Sequence, residues 1–199
     1  MSFTVVVGNP KPESRTLAVA AAGATALAGS LGLPAAQHLV DLSVLARRLL
    51  LDEPSAAVED AVQQVLDAQL LLVVSPTFKG TYSGLLKVFL DRLPYRGLNG
   101  ATALPLLVMN SPQHALAVDV HLRPLLVELG ASVPAPGLAL LESELAQLDT
   151  VVARWARRVA DALDRHAPVS RPSVAFAIQP GQLLPMAHGR DPDRYRVAD

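Results

Sequence analysis

The sequence predicts a three-layer α/β domain in which helices cover both faces of a five-stranded parallel sheet. Three observations carry that prediction. Short apolar runs alternate along the chain with helical stretches, the order that builds parallel sheets. The runs are apolar at nearly every residue, not at every second one, as strands buried on both faces are. Apolar residues fill 51% of the 199 positions and charged residues 18%, enough apolar surface for one well-filled core.

The elements follow in order. Phe3–Val7 is a β-branched run stopped by Gly8-Asn9-Pro10 and reads as the first strand. Ser14 is placed to cap a helix running through Leu17 and the alanine-rich stretch to about Gly29. Gln37–Leu42 reads as a second strand, and Leu45–Leu50 and Ala56–Asp67 as helices broken apart by Pro54. Leu70–Val74 is the third strand, followed by Ser75-Pro76, and a helix over Ser83–Arg92 is ended by Pro94. Ala103–Met109 is the fourth. The next helix, Ala115–Leu129, contains Pro124, which predicts a kink or break, and Gly130 closes it. Ser132–Leu140 is a fifth, proline-interrupted strand region, and Ser143–Arg165 is a long final helix. Residues 1–166 form the expected domain. Residues 167–199 hold five prolines, finish in the charged run Arg190–Arg196, and read as a tail that wraps a neighbouring chain or is partly disordered.

Composition also excludes. With no cysteine there are no disulfides, thiolate zinc sites or cysteine nucleophiles, and no metal site is expected. The net charge of −1, from 17 basic and 18 acidic residues, gives no basis for nucleic-acid binding. Arg154, Arg157 and Arg158, at helical spacing beside Asp161 and Asp164, read as a solvated helix face. No apolar run approaches the roughly 20 residues that span a bilayer. The opening segment also lacks the basic and apolar stretches of a secretory signal, so no membrane partner and a cytoplasmic location are expected. The scarcity of charge points to an oligomer that hides part of the apolar surface.

In sheets of this kind ligands bind beyond the carboxyl ends of the strands, where strand order reverses. Three loops there carry unusual residues. The first, Gly8–Thr16, matches neither G-x-x-x-x-G-K-[ST] nor G-x-G-x-x-G, which argues against a Walker loop and a dinucleotide site. Its hydroxyls Ser14 and Thr16, with Arg15, stand before the positive end of a helix and suit a phosphate. A plain strand-to-helix turn with a serine cap is the alternative. The second, Ser75–Gly84, holds Phe78 and Tyr82 beside glycines that permit close approach, which suits a flat aromatic ligand. Lys87 and Asp91, four residues apart, read as a surface pair. The third, Met109–His114, offers Asn110, Ser111 and Gln113 to a heteroaromatic edge, with His114 beside them. A lone histidine at a helix start is more often structural. His121 and Arg123 fit a subunit contact as well as a site.

Taken together the three loops resemble those of the NAD(P)H-dependent FMN reductases of the flavodoxin-like fold, especially those serving two-component flavin monooxygenases. Ser75–Lys87 with Asp91 resembles the family's flavin-ring signature, P-x-Y/F-x-x-x-x-S-G-x-L-K-x-x-x-D. Gly8–Thr16 resembles its phosphate loop, G-S-x-x-x-x-S-[RK]-[ST], with Asn9 in place of the usual serine. His114–Asp119, continuing through Leu122–Leu126, is also similar, whereas Asn110-Ser111 departs from a more usual glycine pair. The resemblance covers about residues 3–165.

It implies a sheet ordered 2-1-3-4-5, FMN as the flavin, and NADPH or NADH as co-substrate. It also implies hydride transfer from nicotinamide C4 to flavin N5, which needs no side-chain base because the cofactor carries the chemistry. The implied flavin site places Ser14, Arg15 and Thr16, with Asn9, at the phosphate. Pro76, Thr77, Phe78, Lys79 and Gly80 border the ring, and Asn110, Ser111 and His114 close its other edge. A homodimer or homotetramer is implied, with a flavin-dependent monooxygenase as downstream partner. Other readings are an enzyme that retains FMN and reduces a quinone, azo dye or metal oxyanion, and a flavodoxin-like electron carrier without nicotinamide activity. Such carriers are commonly acidic, and this chain is nearly neutral. A fourth is an interaction protein that kept the fold and lost the flavin.

Overall fold

The computed structural model describes residues 1–51 and 55–166, so the expected tail and the break at Pro54 lie outside the described residues. Five parallel strands form one sheet in the order β2-β1-β3-β4-β5: β1 Phe3–Val7, β2 His38–Asp41, β3 Leu70–Pro76, β4 Thr102–Met109 and β5 Leu138–Leu141. The connecting helices are α1 Arg15–Leu31, α2 Leu42–Leu49, α3 Ala56–Leu66, α4 Gly84–Leu90, α5 Arg123–Glu128 and α6 Leu148–His166.

Alternation along each strand sorts side chains to two separate cores. Phe3, Val5 and Val7 face α1 and α6 together with Leu70, Leu72, Val74, Leu104 and Leu106. Val6, Leu71, Val73, Ala103 and Leu107 face α2, α3, α4 and α5. Because both faces are covered, β1 and β3 are buried at every residue, which is why their sequences read as unbroken apolar runs. Each fully buried leucine or valine in such a core contributes about 1.5–3 kcal/mol of transfer free energy.

The expected helix Ala115–Leu129 is two pieces, with a separate short turn before them. A single 3₁₀ turn, Pro112–His114, is followed by a π turn, Val118–Leu122, and only then by α5. Pro124 has no N–H to donate, and the wider turn just before it lets the Arg123 N–H reach the Val118 carbonyl instead of leaving a break. Gly130 does end the helix, at φ +97°; its N–H reaches the Val127 carbonyl at 2.9 Å and that of Ala131 reaches Leu126 at 3.0 Å. The first helix runs past Gly29 to Leu31 and closes on Gly32 at φ +62°.

The fifth strand is shorter than Ser132–Leu140. Ser132 makes one parallel bridge to Thr102, and regular pairing resumes only at Leu138. Prolines 134 and 136 cannot donate to a ladder, so the intervening carbonyls are held by side chains. The Arg123 guanidinium donates to the carbonyls of Val133 and Ala135 and pairs with Asp119 at 2.8 Å, and Trp155 Nε1 donates to Pro136 at 2.9 Å. Arg123 is therefore a brace for the approach to β5. The final helical segment opens with a 3₁₀ stretch, Glu142–Gln147, and Arg154, Arg157 and Arg158 are exposed on α6 as expected.

Candidate active site

The register places Val7 beside Asp41 and Val74, Pro76 beside Val108, and Met109 beside Leu141. The loops after β1, β3, β4 and β5 therefore open on one edge. Between β1 and β3 the strand order reverses direction, which makes the crevice between their loops the ligand position of this topology.

The loop after β1 is built on side chains. Asn9 Nδ2 donates to Thr16 Oγ1 at 2.8 Å, and Asn9 Oδ1 accepts from the Lys11 N–H at 3.0 Å. Ser14 caps α1, its hydroxyl accepting from the Leu17 N–H at 3.2 Å. Glu13, just before the cap, adopts φ +50°, a left-handed conformation that L-residues enter at a cost. The N–H groups of Ser14, Arg15 and Thr16 bond to no acceptor among the described residues, and they head a helix of 17 residues. Free N–H groups and a helix dipole are what an anion takes.

The loop after β3 is built on backbone pairs. Phe78 and Thr81 exchange hydrogen bonds at 2.8 and 3.2 Å, closing a two-residue hairpin over Lys79 and Gly80 at φ +53° and +85°. Two consecutive left-handed residues define the tight hairpin turn that glycine favours. The turn lifts Phe78 into the open, 47% exposed, whereas Tyr82 packs against the α2–α5 side of the core. Of the two aromatics expected at the ring, Phe78 is exposed and Tyr82 half-buried. Thr77 Oγ1 is buried with no hydrogen-bond partner among the described residues. Such a hydroxyl costs about 1–3 kcal/mol until something bonds to it.

One buried serine joins the two loops. Ser83, 1% exposed, donates its hydroxyl to the Gly8 carbonyl, accepts on it from the Leu86 N–H at 3.1 Å, and donates its own N–H to the Ser75 hydroxyl oxygen at 2.9 Å. Gly8 in turn lies against α4, where a Cβ would stand 2.7 Å from Leu86 Cβ. The serine in the S-G pair is thus a tie between β1, β3 and α4, a role its place in the motif did not reveal. Lys87 and Asp91 pair on the exposed face of α4, Nζ to Oδ2 at 2.7 Å. The hydrogen bond to Asp91 holds the Lys87 ammonium above its ordinary range.

The third loop is short. Ser111 caps the 3₁₀ turn, accepting from the Gln113 N–H at 3.3 Å, while Asn110 is exposed and His114 half-buried. With its amide oriented by hydrogen bonding, Asn110 Nδ2 donates to Glu142 Oε2 at 2.7 Å and Oε1 at 3.0 Å. Glu142 also pairs with Arg15 Nη1 at 2.7 Å. This carboxylate, from the residue directly after β5, therefore bridges the first and third loops. Sequence reasoning stopped at the loops after the first, third and fourth strands; the signal for Glu142 is its place at the carboxyl end of a fifth apolar run. His121 is exposed and lies further along the π turn.

This geometry joins a helix start with free N–H groups to an exposed aromatic on a tight hairpin. The chain as a whole is similar to known proteins. The NADH-dependent FMN reductase SfnF of Pseudomonas fluorescens (strain Pf0-1) is 32% identical over 173 residues, 85% of this chain and 91% of that protein. The FMN reductase (NADPH) of Escherichia coli (strain K12) is 38% identical over 91 residues, 46% of this chain and 48% of that one. Among solved structures, the apo form of the NADH:FMN oxidoreductase EMOB is 32% identical with a TM-score of 0.66, covering 78% of this chain and 88% of that one. A flavodoxin from the domain Archaea, 15% identical over 80% of this chain and 99% of its own with a TM-score of 0.51, shares the fold alone. The family model for NADPH-dependent FMN reductase matches residues 1–145, from β1 past the Glu142 bridge, and the chain belongs to that family.

Proposed function

We propose that this chain is an NAD(P)H-dependent FMN reductase of the cytoplasm, with residues 1–166 as its flavin-binding domain. The observation that carries the reading is the pairing, across one crevice, of unpartnered N–H groups at the start of α1 with a hairpin that exposes Phe78 beside an unpartnered Thr77 hydroxyl. Ser14, Arg15 and Thr16 hold the FMN phosphate, and Asn9 acts through Thr16 and the Lys11 turn by keeping that loop in shape. Pro76, Thr77, Phe78, Lys79 and Gly80 border the ring, and Asn110, Ser111 and His114 face its other edge. When bound, the flavin supplies the redox chemistry, taking hydride from nicotinamide. The protein's part is orientation: the hairpin fixes one edge of the ring and the helix start fixes the phosphate, leaving a face for NADH or NADPH.

The relatives named NADH-dependent FMN reductase SfnF and SfnE support a role in supplying reduced flavin to a partner monooxygenase. Leu116, Val120 and Val127 stand exposed along the segment from the third loop to α5, and this apolar strip supports a homodimer or homotetramer. A single monomeric species in sedimentation would remove that part of the reading.

The test of the activity is nicotinamide oxidation by purified protein, with NADH and with NADPH, with and without added FMN. Turnover that saturates with FMN is expected. Turnover needing no added flavin, with a quinone or dye as acceptor, would make FMN a retained group instead. FMN binding without any nicotinamide oxidation would leave an electron carrier.

A further inference from the structure

We infer that Glu142 sets how tightly this site holds FMN, by competing with the flavin phosphate for Arg15. The inference rests on the reading of Gly8–Thr16 as the phosphate loop. Glu142 is anchored from both sides, by the Arg15 guanidinium at 2.7 Å and by the Asn110 amide at 2.7 and 3.0 Å. Its side chain is 28% exposed, whereas that of Arg15 is 67% exposed, so the carboxylate is the fixed member and the arginine the adaptable one. β5 dictates the position, since Glu142 is the first residue beyond Leu141 and Leu141 pairs beside Met109 at the same edge.

Carboxylate and phosphate make the same demand on a guanidinium, its planar fork of donors. A phosphate at the start of α1 meets an Arg15 whose charge is already matched. It must either displace Glu142 or share the arginine with a second anion close by. Both lower the affinity for a phosphorylated flavin. Neither touches riboflavin, which carries the same ring without phosphate. Glu142 therefore narrows the preference for FMN over riboflavin, and eases departure of the flavin from a site that must hand it on. The serine or threonine donors and the backbone N–H groups still favour phosphate; Glu142 only limits that preference.

The experiment is fluorescence titration of FMN and riboflavin into the wild-type chain and the Glu142→Gln variant, at low and at physiological salt. Glu142→Gln should tighten FMN about three- to tenfold at low salt, less at higher salt, and leave riboflavin affinity unchanged. The gain should disappear when Glu142→Gln is made on top of Arg15→Ala. Unchanged or weaker FMN binding in Glu142→Gln, with riboflavin binding intact as the sign of a folded site, would overturn the inference and make Glu142 a support for Arg15. Equal tightening of both flavins would overturn it too, because the phosphate would not be what Glu142 opposes. Failure of the wild-type chain to bind FMN would sink the functional reading itself, and this inference with it.

Discussion

In the loop after β1, side chains hold the turn and backbone N–H groups stay free; in the loop after β3, backbone pairs hold the turn and side chains stay free. Asn9 reaches Thr16 and the Lys11 N–H, and Ser14 caps the helix, so the N–H groups of Ser14, Arg15 and Thr16 remain available. Phe78 and Thr81 close their hairpin through main-chain bonds, so the Phe78 ring and the Thr77 hydroxyl remain available. The difference suits the part of the flavin proposed for each loop. A phosphate is satisfied by converging N–H dipoles whatever side chains carry them. A flat ring needs apolar area and a few polar contacts, which only side chains and a rigid turn can place.

The two loops are nevertheless one mechanical unit, and the largest expected effect tests that. Gly8→Ala puts a Cβ 2.7 Å from Leu86 Cβ, an atom fixed to the backbone of α4, beside the carbonyl that Ser83 bonds. We expect a loss of about 2–3 kcal/mol in stability, read as a lower denaturant midpoint, with both phosphate and ring contacts weakened. A loss below about 0.5 kcal/mol would mean the loops move independently.

Thr77→Val sharpens the contrast from the other side. Removing a buried hydroxyl that has no partner should raise the stability of the flavin-free protein by about 1 kcal/mol and weaken FMN binding by a similar amount. Riboflavin should weaken equally, because the ring and not the phosphate is involved. If stability falls instead, Thr77 is bonded within the protein and has nothing left to offer a ring.

The smallest effect is the control. Lys87 and Asp91 share the motif that contains the hairpin, yet they pair on the exposed face of α4. Asp91→Asn should change stability by less than about 0.5 kcal/mol and leave FMN affinity untouched. Because the Asp91 hydrogen bond raises the Lys87 pKa, the pair stabilises fully below the ordinary lysine range and loses that contribution as pH rises through the raised value. Asp91→Asn should therefore flatten the alkaline end of the stability profile. A drop in FMN affinity would place the pair in the site.

Much of this was legible in the chain alone. Unbroken apolar runs at Phe3–Val7 and Leu70–Val74 can be buried only if both sheet faces are covered, and that fixed the layers. The cap at Ser14 and the stop at Gly130 are local chemistry, written in the residues that perform it. The segment around Pro124 was legible only in part. A proline announces that the ordinary ladder cannot continue, but the choice of a π turn over a break depends on the packing of Val118 and Leu122 in the core.

What the sequence by itself determined is whatever depends on neighbours within a few residues: strand and helix type, caps, the hydroxyls at the start of α1 and the aromatics after β3. What only the tertiary structure decided is which of these groups meet. Ser83 and Gly8 stand 75 residues apart, and Arg15, Asn110 and Glu142 come from three different strand ends. No spacing rule relates such positions. They converge because parallel pairing brings every carboxyl end of the sheet to one edge, and the order β2-β1-β3-β4-β5 opens that edge between β1 and β3.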